Sequence, residues 1–473
     1  MNTSTEYTTE KGFFKFFAEI SKIPHGSGNT KEIADYLAEF AKARNLEFYR
    51  DKADNVIIKK PATEGYEQRP TVILQGHTDM VLQADSGVTK DMTKEGPELL
   101  VEGDFLKANG TTLGADDGIA VAYALAILDA EDIAHPAFEA IFTSDEEIGL
   151  IGASALDCSP LNGKIMINID SDEEGVFTVG CAGGRRVDIS LPITKNEIQG
   201  NKYTLIIDGL MGGHSGIEIN KGRTNAAKKI AEYLNAFGNV RLISLSGGVA
   251  DNAIPQSSIA EFYSAKDIDA LSDDLKKIKS SSVNENEQEN VTLAKSGECS
   301  IALTEEDSKR LINVILELPS GVIAMSKDIE GQVETSLNLG ILRLYEKEAS
   351  ISFSLRSSKE SEKQKLANRL SDIAKKYGAK ISEHGDYPGW EFKKDSHLRD
   401  VMCRVYREKY ESEPKVITIH AGLECGIFSD KIPGLDCVSA GPNAYDIHTP
   451  KERLSISSAN RFWNYLLEVL KNI

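Results

Sequence analysis

Short apolar runs that alternate with helical segments are the feature of this sequence that most limits its fold. The predicted elements are amphipathic helices at 12–22 and 29–44, a buried helix at 118–130, and strands at 71–74, 138–143 and 164–169. Strands that alternate with helices form a largely parallel sheet with helices on its faces. The first part of the chain therefore predicts an α/β layered domain.

The pattern changes near residue 186, where amphipathic strands replace the fully apolar ones. Helices are predicted at 225–237 and 360–378, with strands before and between them. The polar stretch 276–295 predicts a mobile loop. This middle part of the chain is typical of an α+β domain.

After residue 386 the first pattern returns, with a helix at about 396–410 and apolar strands at 416–419 and 435–441. A chain of 473 residues is also too long for one ordinary core. We therefore predict an α/β catalytic domain with a mostly parallel central sheet flanked by helices, and an inserted α+β lid domain. The predicted boundaries are 1–185 and 387–473 for the catalytic domain and 186–386 for the lid.

Charge and cysteine usage exclude several classes of protein. The formal net charge is −19, which argues against nucleic acid as a partner because phosphate binding needs a basic surface. The six cysteines are scattered and form no CxxC pair, so neither a disulfide framework nor a cysteine-type zinc site is expected. A reducing compartment fits this usage best.

The sequence contains no pattern that directs it to or across a membrane. Its first residues have no basic region followed by an apolar stretch, as a signal peptide would. No apolar window reaches the length needed to span a bilayer. We therefore predict a cytoplasmic protein with no membrane partner.

Acidic and imidazole side chains occur at five points of the predicted α/β domain, most of them directly after apolar strands. They are His77 and Asp79 in GHTDM, Asp116 and Asp117 in GADDG, Glu146 and Glu147 in TSDEEIG, Asp170 in INIDSDEEG, and His448 in DIHTP. In α/β sheets, ligands bind beyond the carboxyl ends of the strands. Zinc takes imidazole and carboxylate ligands, and two zinc ions about 3.5–4 Å apart act together in hydrolytic sites. Each motif alone is typical of a turn or helix start, but their joint occurrence favours a two-metal site.

These motifs resemble those of the co-catalytic zinc metallopeptidases that include aminoacylase, carboxypeptidase G and the tripeptidases. The wider family commonly has a Lys after the Asp pair, where Gly118 stands here. GADDG, INIDSDEEG and HAGLECG are instead similar to the aminoacyl-histidine dipeptidases, also called Xaa-His or cytosol nonspecific dipeptidases. The resemblance covers essentially the whole chain.

The resemblance implies two Zn²⁺ per chain, for which Co²⁺ or Mn²⁺ can substitute. The implied ligands are His77, Asp116 and Asp170 for one ion, and Asp116, Glu147 and His448 for the other. Asp116 would bridge the two ions, with Asp117 as the alternative bridge. Asp79 would orient His77, and Glu146 would be the general base that acts on a metal-bridging hydroxide.

The resemblance also assigns roles to residues of the inserted domain. His214 in GGHSG would polarise the scissile carbonyl, and Asn252 in GGVADNAIP would bind the substrate. Arg356 in SFSLRSS would grip the free carboxylate of the substrate with its planar fork; an ion pair within the domain is the alternative. Glu424 could meet the substrate ammonium group, and it would share a helix face with His420 if HAGLEC is helical.

The function implied is metal-dependent hydrolysis of dipeptides, both Xaa-His and other unblocked dipeptides. The alternatives are an N-acyl amino acid deacylase or a tripeptidase on the same di-zinc site, and a non-catalytic binding protein of this fold. The expected partners are small peptide substrates. A second copy of the chain, in a homodimer, is a further candidate partner, because an inserted domain can act within one chain or across a dimer.

Overall fold

The computed structural model describes residues 12–279 and 287–473, which form two compact units. The first contains the described residues up to 180 together with 392–418 and 423–473, and the second contains those of 181–391 together with 419–422. The changes of unit at 180 and 391 lie close to the boundaries expected at 185 and 386. The short segment 419–422 joins the second unit, whereas the sequence placed it in the catalytic domain.

An eight-stranded sheet forms the centre of the first unit. In order across the sheet, its strands are Glu47–Arg50, Val56–Lys60, Phe138–Thr143, Val72–His77, Ile165–Asn168, Asp436–Ser439, Val176–Cys181 and Lys415–Ile419. The third to sixth strands run parallel to one another, and the strands that flank these four, Val56–Lys60 and Val176–Cys181, pair with them antiparallel. The parallel strands are almost wholly buried because both faces are covered, which explains their apolar sequences. The predicted α/β class is confirmed.

Helices cover this sheet, and a smaller sheet lies beside it. The helices are Phe13–Ile20, Lys31–Ala43, Ala115–Asp129, Ile151–Ala155, His397–Tyr410, Glu424–Lys431 and Ile456–Asn472, and the smaller sheet comprises Ala444–Tyr445, Arg453–Ser455, Phe105–Ala108 and Leu99–Glu102. The helix Ala115–Asp129 is apolar on all sides and is buried from Gly118 to Leu128. It begins three residues before the predicted residue 118, so both acids of GADDG lie in its first turn.

The second unit is built on a nine-stranded sheet whose strand pairs are antiparallel. In order its strands are Asn290–Leu303, Lys195–Asp208, Ser258–Ser264, Val240–Gly247, Val333–Leu344, Glu348–Ser357, Gly183–Pro192 and Lys380–Tyr387, with Gly321–Met325 paired to Val333–Leu344. The helices are Ala226–Phe237, Ile268–Lys279, Glu305–Glu317 and Glu360–Lys376, with a 3₁₀ turn at Ile219–Lys221. Each unit has its own hydrophobic core.

The prediction of a mobile loop at 276–295 is wrong at both ends of that stretch. A helix continues to Lys279, and a long strand begins at Asn290; residues 280–286 lie outside the described residues. The helix forms because Leu271 is buried and Leu275 and Ile278 pack against the core at helical spacing, within a mostly polar sequence. The strand is held by regular pairing with Lys195–Asp208.

None of the helices in the described ranges combines the length and the apolar character needed to cross a lipid bilayer.

Candidate metal centre and active site

His77 ends the buried strand Val72–His77, and its imidazole is fixed from both sides. Its Nδ1 lies 2.9 Å from the backbone oxygen of Asp79 and 3.5 Å from that residue's Oδ1, while Nε2 lies 3.0 Å from Oδ1 of Asp116. Burial alone would lower the pKa of His77, but hydrogen bonds to Asp116 and Asp79 raise this pKa well above its ordinary value. An Nδ1–H that donates to the Asp79 carbonyl leaves Nε2 free as a metal ligand.

The carboxylate of Asp79 holds the loop that carries Glu146 and Glu147. It accepts the backbone N–H of Glu146 at 2.9 Å and that of Glu147 at 3.3 Å, and the hydroxyl of Ser27 at 2.8 Å. Burial opposes ionisation of Asp79, but hydrogen bonds, with that from His77 the largest, lower its pKa below the ordinary value. Asp79 therefore links the His77 strand end to the loop that bears both glutamates.

Asp116 lies between two imidazoles, whereas Asp117 does not. Oδ1 of Asp116 is 3.0 Å from Nε2 of His77, and Oδ2 is 3.1 Å from Nε2 of His448. Burial opposes ionisation of Asp116, but the hydrogen bonds from His448 and His77 lower its pKa. The buried Asp117 turns its carboxylate to the backbone N–H of His77 at 3.3 Å, and burial raises the pKa of Asp117 well above its ordinary value. The ionised, centrally placed carboxylate is that of Asp116.

A close approach of helix and strand explains the glycine in GHTDM. A Cβ on Gly76 would lie 2.3 Å from Cβ of Ala120 and 2.5 Å from Oδ2 of Asp117. Only glycine allows the helix that carries the acid pair to pack this closely on the His77 strand.

Glu147 and His448 complete the opposite side of Asp116. Nε2 of His448 lies 2.7 Å from Oε1 of Glu147. Hydrogen bonds to Asp116 and Glu147 raise the pKa of His448 to about 10, although the imidazole is only half-buried. His448 also has a positive φ of 62°, so its turn is held in a conformation that non-glycine residues seldom adopt.

Asp170 and Glu146 are the remaining acids of the cluster. Asp170 lies two residues after the strand Ile165–Asn168, and burial together with Asp116 raises its pKa to about 7. Burial also raises the pKa of Glu146 well above its ordinary value, and the nearby acids Asp170, Glu424 and Glu147 add to this effect. A carboxyl group whose pKa is raised in this way is suited to take up and return a proton near neutral pH.

The ligand atoms of these residues form three groups in which all atoms lie within 4.8 Å of one another. The groups are His77, Asp116 and Asp170; Asp116, Glu147 and His448; and His77, Glu146 and Glu147. The first two share Asp116 and consist of imidazole and carboxylate donors, which are the donors that zinc takes. Clustered carboxylates out of water repel one another unless cations are bound between them. The donor set therefore fits two divalent metal ions.

In the second unit, His214 and Asn252 lie on paired segments. The short strand Gly213–His214 pairs with Ala253–Ile254, and the N–H of Ser215 donates to the backbone oxygen of Asn252 at 2.8 Å. The amide of Asn338 donates to the backbone oxygens on either side of Asn252, both at 2.8 Å. Burial and the nearby Arg356 lower the pKa of His214. His214 is therefore neutral at pH 7.

Arg356 lies in the same unit with part of its guanidinium unengaged. It is 8% exposed, and Nη1 donates to the hydroxyl of Tyr387 at 3.2 Å. Its Nε has no hydrogen-bond partner among the described residues. Burial and Arg356 lower the pKa of His420 to about 3, and the imidazole lies 2.7 Å from the hydroxyl of Ser336. The guanidinium retains donors for an anionic ligand.

The helical arrangement considered for HAGLEC is wrong. The helix begins at Glu424, and the preceding Leu423 is extended, so His420 and Glu424 share no helix face. The two residues also belong to different units. Glu424 is fully buried and accepts hydrogen bonds from Gln75 at 2.6 Å and Thr143 at 2.7 Å, and burial raises its pKa to about 7.

A family model with the description Peptidase family M20/M25/M40 matches residues 73–472. The chain belongs to this family. It is 36% identical over 467 residues to the cytosol non-specific dipeptidase of Escherichia coli K12. The aligned region covers 97% of this chain and 96% of that relative. It is a hydrolase of the metallopeptidase class, and the resemblance drawn from its motifs is confirmed.

Solved structures agree with this assignment. The aminoacylhistidine dipeptidase of Vibrio alginolyticus superposes with a TM-score of 0.94 at 34% identity, over 99% of this chain and 98% of that chain. A tripeptidase from Staphylococcus aureus matches with a TM-score of 0.56 at 18% identity, over 98% of both chains, and shows the fold alone. The family implies that divalent metal is bound.

Sequence reasoning missed the polar residues within the buried strands beneath the metal centre. Gln75 donates to Thr143 and Glu424 and accepts from the amide of Asn168 at 2.7 Å. The signal was present in the sequence, because Gln75 and Asn168 are isolated polar residues in the otherwise apolar runs VILQG and IMINI. A buried polar residue in such a run needs a partner, and this requirement predicts a network.

Proposed function

We propose that this chain is a cytoplasmic dipeptidase that hydrolyses unblocked dipeptides, including Xaa-His, with two Zn²⁺ bound per chain. The observation that carries the proposal is that one carboxylate, that of Asp116, lies between two imidazoles and belongs to two groups of metal donors. The names of the relatives support the substrate class and the cytosolic location.

The proposed ligands are distributed between two subsites that share Asp116. His77 and Asp170 complete the first subsite, and Glu147 and His448 complete the second. When bound, zinc ions supply Lewis acidity that makes a water molecule more acidic and polarises the carbonyl of the peptide bond.

Glu146 is the proposed proton carrier. It removes a proton from the attacking water, and the oxygen of that water forms a bond to the peptide carbonyl carbon. As the C–N bond breaks, Glu146 returns the proton to the leaving amine, so that the products are two free amino acids. Asp79 supports this role by holding the backbone of Glu146.

The second unit supplies the proposed substrate contacts. Arg356 binds the substrate carboxylate through its free donors, with Asn252 beside the substrate and His214 as the donor to the developing oxyanion. Glu424, a residue of the first unit, is proposed to meet the substrate ammonium group with its carboxylate. A second copy of the chain, in a homodimer, is the one macromolecular partner proposed, with no nucleic acid or membrane partner.

A panel of small substrates tests the proposed function. We expect release of free amino acids from Ala-His and Ala-Ala, slower release from Ala-Ala-Ala, and none from N-acetyl-alanine. Chromatographic separation and quantification of the free amino acids measures each rate. Preference for the tripeptide or the N-acetyl substrate would contradict the dipeptidase assignment and favour the corresponding alternative.

Blocking the substrate carboxylate is expected to abolish most of the activity. If Arg356 binds this carboxylate, Ala-His amide leaves a buried guanidinium without its partner, which costs about 2–5 kcal/mol. The ratio of kcat/KM for Ala-His and its amide measures the effect, and Arg356→Lys should shrink that ratio. Arg343→Lys is the matched control, since Arg343 donates to the backbone oxygens of Gly247 and Gly248 in the same unit. Equal efficiency on the acid and the amide would exclude this role for Arg356.

Removing the imidazole of His214 is expected to lower kcat about 10²–10³-fold with a smaller change in KM, because an oxyanion donor acts mainly in the transition state. His384→Ala is the control, since His384 is an exposed histidine of the same unit. A His214→Ala variant with lower thermal stability but full kcat would show that the residue has no chemical role.

A mixture of Glu146→Ala and His214→Ala subunits tests whether His214 acts on the metal centre of another chain. Recovery of activity after subunit exchange would indicate a shared site, and no recovery after proven exchange would indicate a site completed within one chain.

A further inference from the structure

The carboxylate of Glu452 accepts backbone hydrogen bonds from four successive residues. Glu452 is only 2% exposed. Its Oε2 accepts the N–H groups of Leu113 at 2.8 Å and Gly114 at 3.1 Å, and its Oε1 accepts those of Ala115 at 2.8 Å and Asp116 at 3.4 Å. One side chain therefore satisfies the whole backbone segment that leads into Asp116.

This segment has no local cap. The helix Ala115–Asp129 follows Gly114, which has a φ of +73° and no side chain to cap it, and the backbone angles of Asp116 and Asp117 depart from helical values. The first N–H groups of a helix have no partner within the helix and attract negative charge. Glu452 supplies both the acceptor and the charge from more than 330 residues away in sequence.

At its other end, Glu452 belongs to the turn that carries His448. The N–H of Glu452 donates to the backbone oxygen of Thr449 at 3.0 Å. The hydroxyl of Thr449 in turn donates to the backbone oxygen of Asp446 at 2.7 Å. His448 lies inside this turn with its positive φ. The position of the Glu452 carboxylate and the position of the His448 imidazole are thus set by one short turn.

We propose that Glu452 is a positioning residue that sets the geometry of the second metal subsite by joining the backbone at Asp116 to the His448 turn. The proposal rests on the proposed di-metal function. His77 and Asp170 are held by their own strand ends, so the subsite of Asp116, Glu147 and His448 depends most on this link.

The variant Glu452→Gln tests the link with little change of shape. Glutamine keeps one oxygen but places an NH₂ group against two backbone N–H groups, so about half of the acceptor capacity is lost. We expect the second subsite to bind Co²⁺ about 10–100-fold more weakly, as is typical for loss of a partner that orients metal ligands, and the first subsite, which shares only Asp116 with this link, to be weakened less. Excess Co²⁺ should restore kcat with an unchanged KM.

Amide hydrogen exchange of the metal-free protein provides a readout that does not depend on metal or activity. In Glu452→Gln, the amides of residues 113–116 should exchange faster, while those of the central sheet keep their protection. Glu139→Gln is the matched control. Glu139 is also 2% exposed and accepts the N–H groups of Asn162 and Gly163, both at 3.0 Å, but it touches no proposed ligand.

Three outcomes are distinguished. Unequal weakening of the two Co²⁺ sites in Glu452→Gln, absent in Glu139→Gln, supports the positioning role. Unchanged affinities and unchanged exchange at 113–116, or the same loss in both variants, would overturn it. Failure of the unaltered protein to bind Co²⁺ would instead overturn the di-metal function itself. If Glu452→Gln does not fold, Glu452→Asp provides the test, because its side chain is one methylene shorter and cannot reach all four N–H groups. We expect this variant to bind metal more weakly at the second site, and unaltered affinity there would overturn the role.

Discussion

Glu146→Gln is expected to lower kcat for dipeptide hydrolysis by about 10²–10⁴-fold or more, while the protein keeps both metal ions. The magnitude follows from loss of a general base, and here the same carboxyl also returns the proton to the leaving amine. Glutamine preserves the size and polarity of the side chain but cannot carry the proton. Steady-state kinetics together with elemental analysis of the same sample measures the two properties.

The metal content is decisive because Glu146 also belongs to a group of potential metal donors with His77 and Glu147. Loss of one metal together with activity would reassign Glu146 as a ligand, and near-normal kcat in the metal-loaded variant would remove it from the mechanism. Asp145→Asn is the neighbouring control. Asp145 accepts the N–H of Gly28, asparagine retains such an acceptor, and asparagine tolerates the positive φ of this position.

Asp116→Asn is expected to have the largest effect on metal binding. Asp116 is common to both proposed subsites, so its neutralisation removes a charged ligand from two ions at once. We expect both affinities to fall more than about 100-fold, beyond the loss typical of a residue that only orients a ligand, with activity lost in parallel. Competition with a chromogenic chelator measures these affinities in the metal-free protein.

Asp117→Asn separates the bridging role from the effect of changing an acid at this helix start. Burial raises the pKa of Asp117 well above its ordinary value, which favours the neutral form that asparagine resembles. The variant should therefore bind two metal ions. Metal loss in Asp117→Asn with normal binding in Asp116→Asn would reverse the assignment.

The architecture of the first unit was predictable because its strands are buried on both faces. The runs VILQGH and FEAIFT are mostly apolar, with Gln75 and Glu139 as their internal polar residues, so the ends of the strands and the chemistry-bearing side chains after them are visible in the sequence. The parallel pairing of these strands then brings His77 and the loop after Thr143 to the same edge of the sheet.

The choice between Asp116 and Asp117 was not visible in the residues themselves. The two are adjacent and chemically identical, and only the local backbone decides which carboxylate faces the imidazoles and which faces the N–H of His77. The polar stretch 276–295 failed as a prediction for a related reason. Its apolar residues are few, but in the described parts of the stretch Ile278, Val291 and Leu293 pack against the second unit's core, which composition does not reveal.

Long-range polar contacts were the least predictable part of the site. Glu424 reaches Gln75 and Thr143, and Glu452 reaches the backbone before Asp116, across hundreds of residues of sequence. Neither glutamate follows an apolar strand that would mark it as a site residue. Such contacts depend on the assembled fold, which local periodicity cannot specify.

The central claim is that the cluster around Asp116 binds two metal ions that the hydrolysis of dipeptides requires. The most direct measurement is a titration of chelator-treated, metal-free protein with Zn²⁺, in which bound metal and the rate of Ala-His hydrolysis are followed together. We predict no activity without metal, and a rate that reaches its maximum at two Zn²⁺ per chain. Full hydrolysis by the metal-free protein, or no hydrolysis of any unblocked dipeptide once two Zn²⁺ are bound, would contradict the account.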